Sequence, residues 1–123
     1  AVGRSGQPIE WLAQNVDAWI WAVDESAAIR EIILALKTSA LDGRPPAYGY
    51  STFFDLDPNP DAPYQRFYNV VRIGRKALTE RLLHHRDLGV QHVALNLKPS
   101  RRSAQSVIEV WRSINTSLRN API

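Results

Sequence analysis

The sequence predicts an α/β fold built on a parallel sheet. Short runs rich in apolar, β-branched and aromatic residues alternate along the chain with longer stretches whose apolar residues recur at helical spacing. Glycine and proline cluster in the segments between them. Strict alternation of strand and helix requires right-handed crossovers, and therefore a parallel sheet. Two architectures satisfy this pattern: a doubly wound open sheet and part of a (β/α)8 barrel.

Length and composition set the class of protein. With 123 residues, 45% of them hydrophobic, the chain can build a core, and we expect a single domain over residues 1–123. The chain contains no cysteine, which excludes disulfides, thiolate metal sites and a cysteine nucleophile. No apolar run approaches the roughly 18 residues of a membrane span, and no signal peptide is visible. These features predict a soluble, cytoplasmic protein that does not bind membranes.

Charge and histidine placement argue against two further classes of partner. The net charge of +3 comes from scattered basic residues, whereas nucleic-acid binding usually requires a basic stripe, so we expect no nucleic-acid partner. The chain has no pair of histidines with a carboxylate at ligand spacing, so we expect no metal.

The first two repeats occupy residues 1–46. Glycine and serine residues between positions 3 and 6 predict a turn, and Pro8 suits the first position of a helix over residues 8–16. The run DAWIWAV, residues 17–23, predicts a buried strand. Asp24 is a candidate N-cap for the following helix, whose apolar stripe consists of Ile29, Ile32, Ile33 and Leu36.

The last two repeats begin with a strand predicted over residues 47–56. The three prolines of residues 57–65 predict an irregular loop at the carboxyl end of this strand, where α/β folds carry their chemistry. A helix follows over residues 74–88, with Gly89 as its left-handed C-terminal cap. A strand over residues 92–97 comes next.

The final helix is capped by Ser103 or Ser106 and carries an apolar stripe of Val107, Val110, Trp111, Ile114 and Leu118. We expect residues 119–123 to form a frayed tail.

The alternation within strand 92–97 favours the barrel. Val93, Leu95 and Leu97 lie on one face, and Ala94 and Asn96 lie on the other. In a barrel the apolar face would contact the helices, and Asn96 would point inward near the catalytic rim.

The turn at the start of the chain suggests a ligand. A turn before a helix gathers backbone N–H groups at the positive end of the helix dipole, which suits a phosphate. An ordinary strand-to-helix connection has the same sequence pattern, so both readings stay open.

Three segments resemble a known family. GRSGQPIEWLAQNVDAWIW, residues 3–21, resembles the fifth strand and helix of the bacterial luciferase-like monooxygenases. RIGRKALTERLL, residues 72–83, and LGVQHVALNLKPSRRSAQSVIEVW, residues 88–111, resemble the corresponding later parts of a flavin-linked oxidoreductase subgroup of that family. The resemblance implies the C-terminal half of a (β/α)8 barrel, with about four βα units and a truncated first strand.

The resemblance also implies a cofactor site. In the family the turn after strand five contacts the phosphate of FMN, and some members use a deazaflavin instead. The matching residues are Arg4, Ser5, Gly6 and Gln7. Pro8 stands where some members have a phosphate-contacting threonine, so one hydroxyl contact is lost.

The implied activity is oxidation of a small organic substrate through a reduced flavin. The family's catalytic histidine lies in the N-terminal half, which this sequence does not match, so the catalytic residues are unknown and we expect the chain alone to be inactive. The expected partners are the flavin, the organic substrate, and either the missing half or a second copy in a homo-oligomer. The alternatives are a non-catalytic half barrel that oligomerises and an open α/β domain that binds another phosphorylated ligand.

Other residues are weaker candidates. Asn96 and Lys98 end the last strand and could line the substrate pocket. His84 and His85 are expected at the surface, and His92 begins its predicted strand, at the end of a barrel that usually serves stability and not catalysis. Further candidates, each more typical of core, solvent or loop positions, are Trp19, Trp21, Tyr50, Phe53, Phe54, Asp55, Asp57, Arg72, Arg75, Arg101 and Arg102.

Overall fold

The computed structural model describes residues 1–122 and confirms the α/β class. The strands are β1 (Ala18–Trp21), β2 (Ala47–Leu56), β3 (Gln65–Phe67), β4 (Val70–Ile73) and β5 (Val90–Asn96). The helices are α1 (Ile9–Asn15), α2 (Ser26–Ser39), α3 (Arg75–Leu88) and α4 (Ala104–Asn120). Every helix and strand predicted from the sequence is present.

The sheet is mostly parallel. Its strand order is β1-β2-β4-β3, and β5 also pairs with β2. β1 and β4 both run parallel to β2, whereas β3 runs antiparallel to β4. The parallel pairing of β1 and β4 with β2 agrees with the predicted crossovers. The half barrel stays a prediction.

Contacts divide the described residues into two compact units. The first unit comprises residues 1–51 and 88–94, and the second comprises residues 52–87 and 95–122. β2 and β5 each contribute residues to both units.

The first unit has an aromatic core. The Trp19 ring stacks on Trp21 at 5.2 Å between centroids and meets the Tyr48 ring edge-on at 5.4 Å. Helices α1 and α2 cover these rings with the apolar residues Leu12, Ala13, Ile29, Ile32 and Leu36. Trp19 is fully buried, but Ala18, Ile20 and Trp21 are half-buried, so β1 is covered less completely than the predicted buried strand.

Strands β2 and β5 approach each other closely at Gly49, where there is no room for a side chain. A β carbon at this position would collide with the His92 ring and would lie 2.5 Å from the His92 carbonyl oxygen. Any other residue at position 49 would therefore require the neighbouring strand, β5, to move.

The second unit corrects the sequence analysis at the predicted loop. Residues 57–64 are irregular as expected, but β3 and β4 follow as a short antiparallel hairpin. The pattern of β3 is too short and too polar to stand out, and all three of its residues are exposed. Tyr68, at the hairpin turn, has a left-handed φ of 54°.

Helix α3 corrects a second expectation, because His85 is buried and only His84 is exposed. Leu78, Leu82 and His85 follow the i, i+4, i+7 spacing of one helix face, so His85 continues the buried stripe. Gly89 has a φ of 110°, which confirms the left-handed residue after α3.

The helix caps differ in part from the prediction. The N-cap position of α2 is Glu25 and not Asp24; Glu25 makes no side-chain capping bond, and Asp24 is only 4% exposed. Ser103 caps α4, and its hydroxyl accepts a hydrogen bond from the Ser106 amide at 3.2 Å. The frayed tail predicted over residues 119–123 is wrong for Arg119 and Asn120, which are the last two residues of α4; Ala121 is the C-cap, and Ile123 lies outside the described residues.

Candidate functional site

The segment before the turn is held to the amino-terminal strand of the first unit. Val2 forms an isolated parallel bridge with Ile20. The Gly3 amide donates to the Ile20 carbonyl at 2.8 Å, and the Trp19 indole donates to the Gly3 carbonyl at 2.8 Å. These bonds fix where the turn begins, close to the carboxyl end of β1.

The turn itself brings together the four predicted cofactor residues. The Gln7 amide donates to the Arg4 carbonyl at 2.9 Å, which closes a four-residue β-turn. The two central residues, Ser5 and Gly6, have φ values of 49° and 74°. Two successive left-handed residues define a turn of the type I′ class, which glycine favours and most other side chains resist.

The two residues at the tip of the turn are more exposed to solvent than the two residues that flank them. Ser5 and Gly6 are exposed, whereas Arg4 and Gln7 are half-buried. The Ser5 hydroxyl and the backbone at the tip can therefore reach a ligand, while the flanking residues hold the loop in place.

Arg4 is held in a defined position. Its Nε donates to the Gln7 carbonyl at 3.1 Å, and its guanidinium carbon lies 5.4 Å from the centroid of the Trp21 ring. Stacking of this kind orients a guanidinium while leaving its terminal N–H groups able to donate. Because Trp21 is the last residue of β1, the cation lies at the carboxyl end of that strand.

Asn96 and Lys98 lie together in the second unit. The Asn96 side-chain oxygen accepts a hydrogen bond from the Lys98 amide at 3.1 Å, and both residues are exposed. An asparagine that accepts a bond from the amide two residues later forms an Asx turn. The geometry thus gives Asn96 a role in shaping the loop after β5.

Ser100 makes a structural contact that sequence reasoning missed. Its hydroxyl accepts from the Leu56 amide at 2.8 Å and donates to the Phe54 carbonyl at 3.0 Å. The side chain thereby takes the place of a neighbouring strand along the end of β2. A serine 44 residues away carries no sequence signal for this bond, apart from its place in a short turn, Lys98–Ser100.

The carboxyl end of β2 carries a charged cluster. Arg72 lies 3.0 Å from Asp57 and 3.7 Å from Asp55, measured from Nε to the carboxylate oxygens. The Asn59 amide donates to Asp57 at 2.9 Å. This backbone hydrogen bond, together with Arg72, lowers the pKa of Asp57 below its usual value and outweighs the opposing effect of desolvation.

Tyr48 and Asp24 form a buried polar pair in the first unit. The Tyr48 hydroxyl donates to the Val23 carbonyl at 2.8 Å. Burial raises the pKa of Tyr48, and the nearby charge of Asp24 raises it further by a smaller amount, so the phenol stays protonated. A protonated, hydrogen-bonded phenol is a structural anchor rather than a base.

Comparison with protein-family models and with curated proteins gives no match. Within residues 1–122, no three histidine or acidic side chains come close enough to hold a metal ion. None of the helices in that range has the length and apolar character needed to cross a bilayer.

Proposed function

We propose that this chain is the C-terminal half of a luciferase-like flavin-dependent oxidoreductase or monooxygenase, and that the turn of residues 4–7 contributes the seat of the cofactor phosphate. The cofactor is FMN or a deazaflavin. Bound flavin would supply the oxidation chemistry, with a small organic substrate. The chain supplies part of the cofactor site and depends on another half for the catalytic residues.

One observation carries the proposal: Arg4 is held beside an exposed left-handed turn at the carboxyl end of β1. Parallel α/β folds bind their ligands at the carboxyl ends of the strands. A guanidinium whose Nε is already bonded offers its terminal N–H groups in a fork that matches phosphate oxygens. The Ser5 hydroxyl adds one more donor at the tip.

The order of strand pairing also supports the proposal. Residue 2 bridges β1, β1 pairs with β2, and β2 pairs with β5. Consecutive repeats of a barrel are neighbours in this same order. The hairpin β3–β4 then lies within the connection from β2 to α3.

Titration of the chain with FMN and with riboflavin, which lacks the phosphate, tests this function. We expect FMN to bind more tightly than riboflavin in fluorescence quenching. Ser5→Asp should weaken FMN binding by about tenfold or more, because the carboxylate opposes the phosphate, and should leave riboflavin binding unchanged. The left-handed backbone at Ser5 accepts aspartate, so the turn can keep its shape.

Ser103→Asp is the matched control. It makes the same chemical change at an exposed helix N-cap, where aspartate caps as well as serine does. If Ser5→Asp binds FMN as tightly as the unaltered chain and the Ser103→Asp control, the proposed phosphate seat is wrong.

A second candidate is a non-catalytic half barrel that associates with another chain. It is favoured by the exposure of Ala94 and Asn96, the β5 residues expected to point into a barrel. If FMN and riboflavin give the same fluorescence quenching curve, and neither curve saturates, this candidate is favoured over the flavin enzyme.

A further inference from the structure

A cavity of about 260 Å³ lies between α3 and α4, within the second unit. Its polar lining consists of Arg75, Lys76, Thr79 and Glu80 on α3 and Ser113 and Ser117 on α4. On each helix these residues include a pair spaced four apart, which places them on one face of that helix. We call this space the α3–α4 cavity. Cavities that hold drug-sized ligands begin at about 300 Å³, so this one suits a smaller molecule.

Arg75 joins the two walls of the α3–α4 cavity. Its Nη1 donates to the Ser113 hydroxyl at 2.9 Å. Within residues 1–122 Arg75 forms no ion pair, and its Nε and Nη2 make no hydrogen bond. A guanidinium held at one nitrogen, with the others free, can donate two hydrogen bonds to a carboxylate.

Glu80 supplies the opposite charge on the same wall. Lys76 precedes it by four residues, which is a usual spacing for a helix ion pair, but the Lys76 ammonium group pairs with Asp61 instead. Glu80 is exposed, and it has no ion pair or hydrogen bond with any other residue that the structure describes. Its carboxylate therefore stays available to a cationic donor in the cavity.

Two hydroxyl groups in the lining can accept hydrogen bonds. Thr79 Oγ1 donates to the Arg75 carbonyl at 2.8 Å, and Ser117 Oγ donates to the Ser113 carbonyl at 3.2 Å. Because a hydroxyl has one hydrogen, each of these oxygens keeps lone pairs for an N–H donor. An ammonium group has three such donors.

The two unpaired charges of the lining determine which class of ligand fits. Glu80 would repel a ligand that carries only negative charge, and Arg75 would repel one that carries only positive charge. An apolar ligand would remove water from both charges without replacing its hydrogen bonds. A small molecule with one carboxylate and one ammonium group satisfies both side chains.

We propose that the α3–α4 cavity binds a small amino acid in its zwitterionic form. The ligand carboxylate accepts hydrogen bonds from Arg75, and the ligand ammonium group donates to Glu80. Both charges lie at the surface, where water competes for them, so we expect a Kd in the millimolar range. This site is independent of the flavin proposal, since it uses no residue of the turn at positions 4–7.

An amide-resolved NMR titration of the chain with L-alanine tests the site. We expect saturable shifts of the amide resonances of the cavity lining. Propionate lacks the ammonium group of alanine, and ethylamine lacks its carboxylate. Each should therefore bind more weakly than alanine, by about fivefold or more.

Glu80→Gln removes the group that holds the ligand ammonium. It should raise the Kd for alanine by about fivefold and abolish the preference for alanine over propionate. Because Glu80 has no partner in the described part of the chain, this substitution breaks no contact of the fold. Glu31→Gln makes the same change at an exposed position of α2 and should leave the Kd unchanged.

Arg75→Gln tests the other end of the ligand. It should abolish the preference for alanine over ethylamine, because the fork that holds the carboxylate is lost. Arg112→Gln, at an exposed position of α4 outside the cavity, is the matched control and should keep that preference.

The absence of saturable shifts up to about 100 mM alanine would overturn the proposal. Propionate that binds the unaltered chain as tightly as alanine would overturn it too, since the cavity would then recognise only an anion. The same is true of an alanine Kd that Glu80→Gln leaves unchanged. A separate titration with FMN distinguishes failure of this site from failure of the phosphate seat, because the two sites share no residue.

Discussion

The two units of the molecule use aromatic residues in different ways. In the first unit Trp19, Tyr48 and Tyr50 are buried, although Trp11 is exposed, and Trp19 stacks on Trp21, two residues further along β1. In the second unit Phe53, Tyr64, Phe67, Tyr68 and Trp111 are exposed, whereas Phe54 is buried. This difference in the exposure of aromatic side chains follows from how completely other residues cover each strand.

The register of the second unit shows this difference within single strands. Phe53 pairs with Val70, which pairs with Phe67, so these three residues form one row across β2, β4 and β3. The adjacent pair, Phe54 and Val71, faces the opposite side and is buried. Among the described residues, the rings of Phe53 and Phe67 are left exposed on one face of this sheet, whereas Trp19 and Tyr48 of the first unit pack with residues of two helices.

The tight packing of the first unit predicts the largest effect. Gly49→Ala should lower the free energy of unfolding by about 3 kcal/mol, because the added methyl group meets the backbone of β5 and not only a movable side chain. Urea denaturation followed by circular dichroism measures this loss.

Gly43→Ala is the control for Gly49→Ala. A β carbon at Gly43 meets nothing within 4 Å, so only the left-handed φ of 65° opposes it, at about 1 kcal/mol. Equal stability of the two variants would mean that β2 and β5 are not as close as described.

Ser100→Ala tests the serine clamp, by which we mean the two hydrogen bonds from the Ser100 hydroxyl to the backbone of Phe54 and Leu56 at the end of β2. The substitution removes both hydrogen bonds of the hydroxyl and leaves the Leu56 amide without its partner. We expect a loss of about 2 kcal/mol, measured by thermal or urea unfolding. Ser51→Ala, at an exposed position of the same strand, should change stability by less than about 0.5 kcal/mol. A Ser100→Ala chain as stable as Ser51→Ala would show that the clamp contributes nothing.

For Asp57 we predict a smaller effect on the stability of the same unit, and one that depends on pH. Its pKa is lowered in the folded chain, so its carboxylate stabilises the fold above the ordinary pKa of aspartate, and this contribution is lost as the pH falls through the folded value. Asp57→Asn should therefore lower the Tm at pH 6 but have little effect near pH 2. A difference in Tm that is the same at both pH values would contradict this assignment.

The exposed row of the second unit predicts the smallest effect. Phe67 is half exposed, so Phe67→Ser should change the free energy of unfolding by less than about 0.5 kcal/mol in urea denaturation. A loss above about 1 kcal/mol would show that the row is covered, and the contrast between the two units would then disappear.

Sequence periodicity was sufficient for the helices and the long strands. The strand over residues 47–56 and the caps at Gly89 and Ser103 agree with the structure, because propensity and local hydrogen bonds determine them. The hairpin of β3 and β4 could not be predicted, because its pairing depends on contact with β2 rather than on its own short sequence. His85 was missed although its i, i+7 spacing from Leu78 was visible, because histidine is usually solvated.

The candidate site was predictable only in its local part. The turn of residues 4–7 follows from Ser5 and Gly6, whose backbone conformations are set within four residues. The position of the Arg4 guanidinium over Trp21 could not be predicted, since it depends on a contact 17 residues away in sequence. The serine clamp at Ser100 depends on tertiary placement in the same way.

The most direct measurement of the central claim is an amide-resolved NMR titration of the chain with FMN and with riboflavin. We predict that the Ser5, Gly6 and Gln7 amide resonances shift with FMN and not with riboflavin, because the phosphate alone contacts the turn. FMN that binds without moving these resonances, or that moves them no more than riboflavin does, would contradict the assignment of this turn as a phosphate seat.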